Sequence, residues 1–509
     1  MNRELYYKLQ NGSDIRGVAL EGIEGEHVNL TSEAAKDFAK SFAHFVAKRT
    51  GKKVEELKLA VGHDSRLSAN QLKTSVIDGI TETGAAAVDC GLSSTPSMFM
   101  ATVLPGLEYD GSVMITASHL PFNRNGLKFF TREGGLEHED IYEIIKDAVE
   151  EVYTECVPTE KCQAVDICPL LEHYSAHLRN VICKALPDGG DKPLQGLHIV
   201  VDAGNGAGGF FASQVLQPLG ADTTGSVYLD PDGHFPNHIP NPENPQAMEA
   251  IRKATVDSKA DLGVIFDTDV DRAAAVFDDG EEINRNAIIA LMGVIVAREH
   301  PGTTIVTDSV TSDELAVFLE QELGLKHHRF RRGYRNVINE SIRLNNEGID
   351  SQLAIETSGH GALKENYFLD DGAYMSVKII CELARCKKQG KSIAASIAKL
   401  GHPAEAAECR FKINLEEFKE YGAEVLKQFD GFVQSEEGFS KVPVNHEGIR
   451  VNVDREGVQG WLLLRMSLHD PILPLNIETR QPGGVAKVKE WLLPFFAGFE
   501  SLDCSPLRS

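Results

Sequence analysis

Short apolar runs alternate along this chain with longer stretches whose apolar residues recur every three or four positions. Ala35, Phe38, Ala39, Phe42 and Phe45 fall near helical spacing behind Thr31 or Ser32, either of which can cap, so residues 31–50 read as a helix. The run LKLAVG at 57–62 reads as a strand, 69–84 as a helix and 85–90 as a strand, followed by a Gly-Ser-Thr-Pro turn region at 91–96. Short strand, then longer helix, then strand is the pattern of an α/β domain. It restarts at Gly196–Val201, passes the glycine-rich turn Asp202–Gly209 and enters a helix over 210–219. It restarts again after Pro301-Gly302, with a strand at 303–307 and a helix at 311–323. A long polar helical stretch near 136–184 and the turn-rich Pro187-Asp188-Gly189-Gly190 separate the first two units. The repetition lies in the pattern and not in residue identity.

The tail differs. Residues 406–432 read as a helix of mixed charge. Two strand-like runs follow, 448–453 and 460–465, joined by the turn Asp454-Arg455-Glu456-Gly457, and a helix over 483–496 closes the chain. The reading is therefore three α/β domains, 1–190, 191–300 and 301–405, and a smaller α+β domain, 406–509. Low-complexity linkers are absent, so these domains are expected to pack around a shared cleft.

Length and composition agree. A chain of 509 residues exceeds one ordinary hydrophobic core. With 42% hydrophobic and 25% charged residues it has the make-up of a soluble globular protein. No run of eighteen apolar residues exists, so no membrane span is expected, and MNRELYYKLQNGSD has no signal-peptide pattern. The net charge of -24 disfavours nucleic acid, which needs a basic surface, yet permits a local arginine and lysine cluster to hold a phosphate. Nine cysteines are an odd number at low density, which fits a reducing, cytoplasmic setting. Cys156, Cys162 and Cys168 are spaced by six, without a fourth ligand at zinc-like spacing, and read as free thiols.

Two segments carry candidate chemistry. Thr116-Ala117-Ser118-His119-Leu120-Pro121 follows the apolar run 112–115, with Lys128 shortly after. A strand followed by a loop can mount a reactive serine, and a turn serine is the plain rival. No Gly-x-Ser-x-Gly elbow surrounds Ser118, which argues against a hydrolase. Asp267-Thr268-Asp269-Val270-Asp271-Arg272 follows the apolar run Leu262–Phe266 and offers three carboxylates on alternate residues. They could converge on an oxygen-ligated cation such as Mg²⁺, or form a solvated acidic turn. A calcium helix-loop-helix is disfavoured, because Arg272 stands where that loop requires glycine. A phosphorylated serine facing a divalent cation is the simplest chemistry that uses both segments.

These segments resemble the α-D-phosphohexomutase superfamily, whose serine motif usually reads Thr-Ala-Ser-His-Asn-Pro and whose metal motif usually reads Asp-Gly-Asp-x-Asp-Arg. Leu120 and Thr268 are departures. Gly12-Ser13-Asp14-Ile15-Arg16-Gly17 is similar to the family's Gly-x-Ser-Gly-Ile-Arg-Gly loop. Glu356-Thr357-Ser358-Gly359-His360 is similar to its sugar-recognition loop, and Gly333-Tyr334-Arg335 matches the glycine loop before it. Arg465-Met466-Ser467-Leu468-His469-Asp470-Pro471 resembles the phosphate-binding loop Arg-x-Ser-(Gly/Asn)-Thr-Glu-Pro, with His469 and Asp470 as departures. The motifs fall in the family's order.

The resemblance implies four domains around a central cleft and Mg²⁺ held by Asp267, Asp269, Asp271 and an oxygen of phosphorylated Ser118. It implies transfer of a phosphoryl group between the 1- and 6-positions of a hexose phosphate, glucose or mannose, with hexose 1,6-bisphosphate as intermediate and activator. Arg16, His119 and Lys128 are the candidates to assist Ser118. Arg272, Gly333, Tyr334, Arg335, Glu356 and Ser358 would bind substrate, and Arg465 and Ser467 would clamp its non-reacting phosphate. The alternatives are a phosphoglucosamine mutase, a divergent sugar-phosphate phosphotransferase and, in another class, an inactive sugar-phosphate sensor. Gly204-x-Gly206-x-x-Gly209 reads as a structural turn and not a dinucleotide site. His63-Asp64-Ser65-Arg66 reads as support for the active site, and Trp461 and Trp491 as packing residues.

Overall fold

The computed structural model describes residues 3–153, 165–467 and 470–508. Cys156, Cys162 and His469 lie outside the described residues. The chain divides into two compact units, 1–284 with 358–394, and 285–357 with 395–509.

The first unit contains two sheets. The larger runs in the spatial order Gln10–Asn11, Asp14–Val18, Arg124–Thr131, Gly111–Ile115, Lys58–His63, Ala86–Leu92 and Asp166–Ile167. Its central strands are parallel: Lys58–His63 pairs in parallel with both Ala86–Leu92 and Gly111–Ile115. Gly111–Ile115 is buried throughout, as a strand covered on both faces must be. The helix Ser32–Thr50 starts where Thr31 Oγ1 accepts the Ala34 N–H and stops at Gly51, whose φ of 71° continues no helix. Its apolar stripe, with Phe38 and Phe42, packs into the core together with Val61, Val113 and Ile115. The second sheet orders Glu282–Ile283, Ala273–Phe277, Leu262–Phe266 and Ile199–Asp202. Leu262–Phe266 runs parallel to Ile199–Asp202 and antiparallel to Ala273–Phe277, so residues 267–272 form a hairpin loop at one sheet end. A short antiparallel pair, Gly361–Leu363 with Leu369–Asp370, and the helix Gly372–Lys388 complete the unit.

The second unit joins an α/β part to an antiparallel part. Thr304–Thr307 lies parallel to both Lys326–Arg329 and Ser351–Ile355. The C-terminal sheet orders Glu405–Lys412, Ile472–Thr479, Val458–Leu464, Ile449–Arg455 and Phe439–Lys441, all antiparallel. The helices Phe418–Ser435 and Gly484–Phe496 contribute Phe429, Val433, Leu492 and Phe496 to its core. The architecture is α/β, with three α/β parts and a sheet-rich C-terminal part, as the sequence pattern and the resemblance imply.

Four elements differ from expectation. The stretch near 136–184 is two helices, His138–Val149 and Leu170–Ala185, with a turn at 151–153 and the strand Asp166–Ile167 between them. Residues 210–219 form a π-helical turn, Phe211–Leu216, and a 3₁₀ turn, Gln217–Leu219, which Gly220 ends at a φ of 93°. The helix expected over 311–323 is a short α-helix, Asp313–Val317, continued by a π-helical turn, Phe318–Glu322. Residues 406–412 are not helix but strand. Cys409 and Phe411 point inward while Glu408, Arg410 and Lys412 point out, which is the period of two. Alanine and glutamate favour helix intrinsically, and the alternation overrides them.

No helix of the described residues is long and apolar enough to cross a membrane. The seven described cysteines are all free thiols.

Candidate active site

Ser118 stands three residues beyond the buried strand Gly111–Ile115. The Thr116 hydroxyl accepts the Ser118 N–H at 2.9 Å, and Leu120 N–H donates back to the Ala117 carbonyl at 3.1 Å. The chain turns so tightly here that Ser118 adopts φ 49°, a left-handed conformation costly for a residue with a Cβ. This aims Oγ at the carboxylate loop. Ser118 Oγ donates to Asp267 Oδ2 at 3.0 Å and accepts from Arg272 Nη2 at 3.2 Å.

The carboxylate loop is strained too. Val270, β-branched, sits at φ 68°. Ala207 N–H donates to the Thr268 carbonyl at 2.8 Å, so the glycine-rich turn braces this loop. Its glycines permit close backbone approach: a Cβ on Gly206 would lie 2.6 Å from Thr268 O, and one on Gly209 would lie 2.2 Å from Leu229 O. The structural-turn reading of this segment agrees with that geometry. The calcium helix-loop-helix is ruled out by the hairpin itself.

Asp267, Asp269 and Asp271 each offer an oxygen within 4.8 Å of the others, and all three are buried. Among the described residues, Asp269 Oδ1 and Asp271 Oδ1 have no hydrogen-bond partner. Buried, orphaned carboxylate oxygens at this spacing suit a hard divalent cation, so the residues fit the expected Mg²⁺. Burial, then the charges of Asp271 and Asp269, push the Asp267 carboxyl well above the usual carboxylate range. Burial would raise Asp271 as well, but Lys128, His360 and Arg272 hold it well below that range. Lys128 Nζ lies 2.6 Å from Asp271 Oδ2 and 3.4 Å from Asp269 Oδ2.

Arg272 reaches four groups. Its Nε donates to Asp267 Oδ2 and its Nη1 to Asn241 Oδ1, both at 3.2 Å. Its Nη2 donates to Ser118 Oγ and, at 2.6 Å, to His119 Nδ1. Because a guanidinium only donates, Nδ1 is assigned as acceptor. Burial first, then Arg272 and Arg16, lower the His119 pKa to about 2, so the ring is neutral and orients more than it compensates charge. Arg16, on the strand paired with Arg124–Thr131, donates from Nη1 to the Ala117 carbonyl at 3.1 Å and from Nη2 to Asp14 at 2.8 Å. Ser118, His119, Lys128, Arg16, Asp267, Asp269, Asp271 and Arg272 are thus brought together within the first unit. Ser358 belongs to this unit too, beside Gly359, whose carbonyl accepts the Ala273 N–H at 3.2 Å.

The other candidates lie in the second unit. Glu356 follows the strand Ser351–Ile355 and accepts the Gly333 N–H at 2.7 Å. Gly333, at φ 105°, precedes the helix Tyr334–Asn346, which places Tyr334 and Arg335 in its first turn. Arg465 follows Val458–Leu464 and is buried, and among the described residues its Nε has no hydrogen-bond partner. Burial, then the adjacent Arg332, lower its pKa. Ser467 N–H donates to the Ile472 carbonyl at 3.1 Å, and its Oγ accepts from Asp470 N–H at 3.2 Å.

Sequence reasoning missed two elements of this site. The turn region at 91–96 ends in a helix, Thr95–Val103, capped by Ser94. Thr95 Oγ1 donates to Asp269 Oδ2, and Thr95 N–H donates to the Asp269 carbonyl at 2.8 Å. Ser-Thr-Pro before an apolar run was the available signal, since it marks a helix start. The second is a couple between His360 Nδ1 and Asp370. Burial would lower the His360 pKa, but Asp370 raises it to about 9, so this cation faces Asp271.

Three models of one family match: Phosphoglucomutase/phosphomannomutase, alpha/beta/alpha domain I over residues 8–155, domain II over 172–280 and domain III over 284–400. The chain is 26% identical over 437 residues to a phosphomannomutase/phosphoglucomutase of Pseudomonas putida, covering 86% of each chain. It is 28% identical over 390 residues to a phosphoglucosamine mutase of Bifidobacterium animalis subsp. lactis, covering 75% of this chain and 81% of that one. The solved structure of a phosphoglucomutase/phosphomannomutase family protein from Burkholderia thailandensis superposes with a TM-score of 0.77 at 25% identity, covering 96% of both chains. Matched across its three α/β segments, with the serine and the three aspartates gathered in one unit, the chain belongs to the α-D-phosphohexomutase superfamily.

Proposed function

We propose that the protein is an isomerase that moves a phosphoryl group between the 1- and 6-positions of a hexose phosphate, glucose or mannose, by way of phosphorylated Ser118. One observation carries this reading: the Ser118 hydroxyl is bonded at once to a carboxylate and to the arginine of the acidic loop. A plain turn serine has no need of either.

A sugar hydroxyl attacks the phosphorus of phosphorylated Ser118. A phosphorus–oxygen bond to the sugar forms as the bond to Ser118 Oγ breaks, the hydroxyl proton leaves to a neighbouring base, and Ser118 Oγ takes up a proton to become a hydroxyl again. Of the groups at hand, Lys128, Arg16 and His119, a guanidinium cannot accept a proton, so Arg16 orients and Lys128 in its neutral form takes the proton. His119 already accepts at Nδ1 from Arg272, which assigns it to orienting. The resulting hexose 1,6-bisphosphate turns round, and its other phosphate returns to Ser118. Mg²⁺, held by Asp267, Asp269, Asp271 and a phosphoserine oxygen, supplies charge that offsets the negative charge developing on the phosphoryl oxygens. Arg272 adds a guanidinium to the same oxygens. Glu356, Ser358 and the Gly333-Tyr334-Arg335 loop recognise the sugar. Arg465 and Ser467 grip the far phosphate, and the Nε of buried Arg465, unpaired among the described residues, supports an anion there.

The alternative substrate is glucosamine phosphate, which the Bifidobacterium relative supports. The test supplies Mg²⁺, catalytic hexose 1,6-bisphosphate and, separately, the 1-phosphates of glucose, mannose and glucosamine, and follows each 6-phosphate. Turnover with glucose or mannose is expected, with loss of steady turnover in Ser118→Ala. Normal turnover in that variant overturns the mechanism. Absence of turnover on every substrate favours the sugar-phosphate sensor.

A further inference from the structure

The segment His63-Asp64-Ser65-Arg66 ends in an arginine that no step above uses. The Arg66 side chain is fully buried. Its Nη1 donates to the Pro121 carbonyl at 2.8 Å and to the Arg124 carbonyl at 2.9 Å. Its Nη2 donates to the Leu120 carbonyl at 2.6 Å and to the Ser118 carbonyl. Four carbonyls of the stretch 118–124 therefore converge on one guanidinium. A planar fork with several donors in fixed directions can serve four such acceptors, and an ammonium cannot match that geometry.

The arginine is itself fixed. Its N–H donates to Asp64 Oδ1 at 2.9 Å, and its Nε lies 3.5 Å from Asp64 Oδ2. Its guanidinium carbon lies 5.4 Å from the centre of the Phe235 ring. Beside Phe235, Gly233 packs so closely that a Cβ there would lie 2.6 Å from both Leu67 N and Ser65 O. This loop, ahead of the helix Pro245–Ser258, continues to Asn241, which binds Arg272. Arg66 thus joins the serine loop, on one side, to the segment that steadies Arg272, on the other.

We propose that Arg66 is the positioning residue of the serine loop: by binding the carbonyls of Ser118, Leu120, Pro121 and Arg124 it holds Ser118 in its left-handed conformation with Oγ directed at Asp267 and Arg272. It touches no reacting atom. The inference rests on the phosphoserine reading for its catalytic consequence, but the conformational claim stands apart from it.

Arg66→Lys keeps the charge and loses the fork. Its kcat is expected to fall about 100-fold, the scale of a small misplacement of a reacting group. Its KM should change much less, because Arg66 binds the serine loop and none of the residues assigned to the sugar or the distal phosphate. Amide hydrogen exchange over residues 117–124 should accelerate while the strand 111–115 stays protected. Arg66→Ala should recover part of its kcat with added guanidinium ion. Wild-type kcat and unchanged exchange in a folded Arg66→Lys protein overturn the proposal, as does a fall in kcat matched by a similar loss of protection throughout the unit. If Arg66→Lys does not fold, Phe235→Leu decides, since it removes the ring packed on the guanidinium and frees Arg66 to leave its four acceptors. Faster exchange at 117–124 supports the proposal, and unchanged exchange overturns it. If the wild type itself shows no mutase turnover, the functional reading fails while the exchange data still judge the role of Arg66.

Discussion

Gly206 leaves no room for a side chain. Its backbone lies against Thr268, so a methyl group would stand 2.6 Å from the Thr268 carbonyl oxygen and 2.8 Å from its Cα. Both obstacles are backbone, which cannot swing aside. Thr268 separates Asp267 from Asp269, so any shift reaches two of the three carboxylates. Gly206→Ala is expected to raise the Mg²⁺ concentration needed for half-maximal activity by at least about tenfold, the effect of disturbing groups that orient metal ligands. A Mg²⁺ titration of turnover measures it, and an unchanged requirement would mean that the loop absorbs the strain. At this scale the sequence is uneven in what it reveals. Ser118 and the three aspartates are legible because the chemistry demands those residue types at that spacing. The reason for Gly206 is not, because its neighbour lies some sixty positions away and no local pattern announces the contact.

The elements act as mounts. The helix Thr95–Val103 presents its first turn to Asp269, and Thr95 binds that residue through both hydroxyl and N–H. Thr95→Val keeps the shape and the backbone bond and removes the hydroxyl bond. About a tenfold weaker response to Mg²⁺ is expected, with little change in melting temperature, because the helix cap at Ser94 remains. A second mount depends on pH. His238 Nε2 lies 2.9 Å from Asp202, at the end of the strand Ile199–Asp202, and its Nδ1 lies 3.0 Å from the Ile239 carbonyl. Burial favours the neutral ring, but the hydrogen bond and charge of Asp202 outweigh it and raise the pKa above 6.5. A histidine whose folded pKa is raised binds its proton more tightly when folded. Its contribution is complete below about pH 6.5, the unfolded value, and is lost as pH rises through the folded value. His238→Gln should therefore flatten the decline in unfolding temperature above pH 6.5, which thermal melts across pH 5.5 to about 9 would record. Element type was legible wherever period and cap agreed, as in Ser32–Thr50. It failed at Glu405–Lys412, where the residues favour helix one by one while their burial alternates, and burial is decided by partners that the local sequence does not contain.

At the scale of the whole molecule, the compact units do not follow the chain in series. Residues 358–394 join 1–284 because the helix Gly372–Lys388 packs against the strand Ala273–Phe277 and the helix Leu170–Ala185, and Gly372 sits where a Cβ would meet Arg272 backbone at 2.6 Å. A pass along the sequence sees three similar α/β patterns but not this return of the chain. The second unit holds its own two parts together through Arg450. This residue, on Ile449–Arg455 of the antiparallel sheet, is buried and donates to the Ser309 carbonyl at 2.8 Å, the Thr311 carbonyl at 3.2 Å and Asp313 Oδ1 at 2.8 Å. Its guanidinium lies 3.7 Å from the centre of the Trp461 ring, so Trp461 packs as expected while its Nε1 also donates to Glu478 at 2.8 Å. Burial first, then the neighbouring Arg329, lower the Arg450 pKa to about 10, so it remains charged at neutral pH and its partners matter. Arg450→Met keeps a flexible apolar side chain over the ring and strands two buried carbonyls, while Asp313 keeps its bond to Arg329 Nη2 at 2.9 Å. Leaving buried backbone carbonyls unsatisfied costs about 3 kcal/mol in all. The loss falls on the second unit, so calorimetry should resolve an early transition in the variant while the heat absorbed by the first unit keeps its wild-type temperature. Limited proteolysis at the onset of that transition should cut within 395–508 and spare 3–153. A single transition shifted as a whole would instead mean that the two units unfold together, and that Arg450 supports the entire molecule.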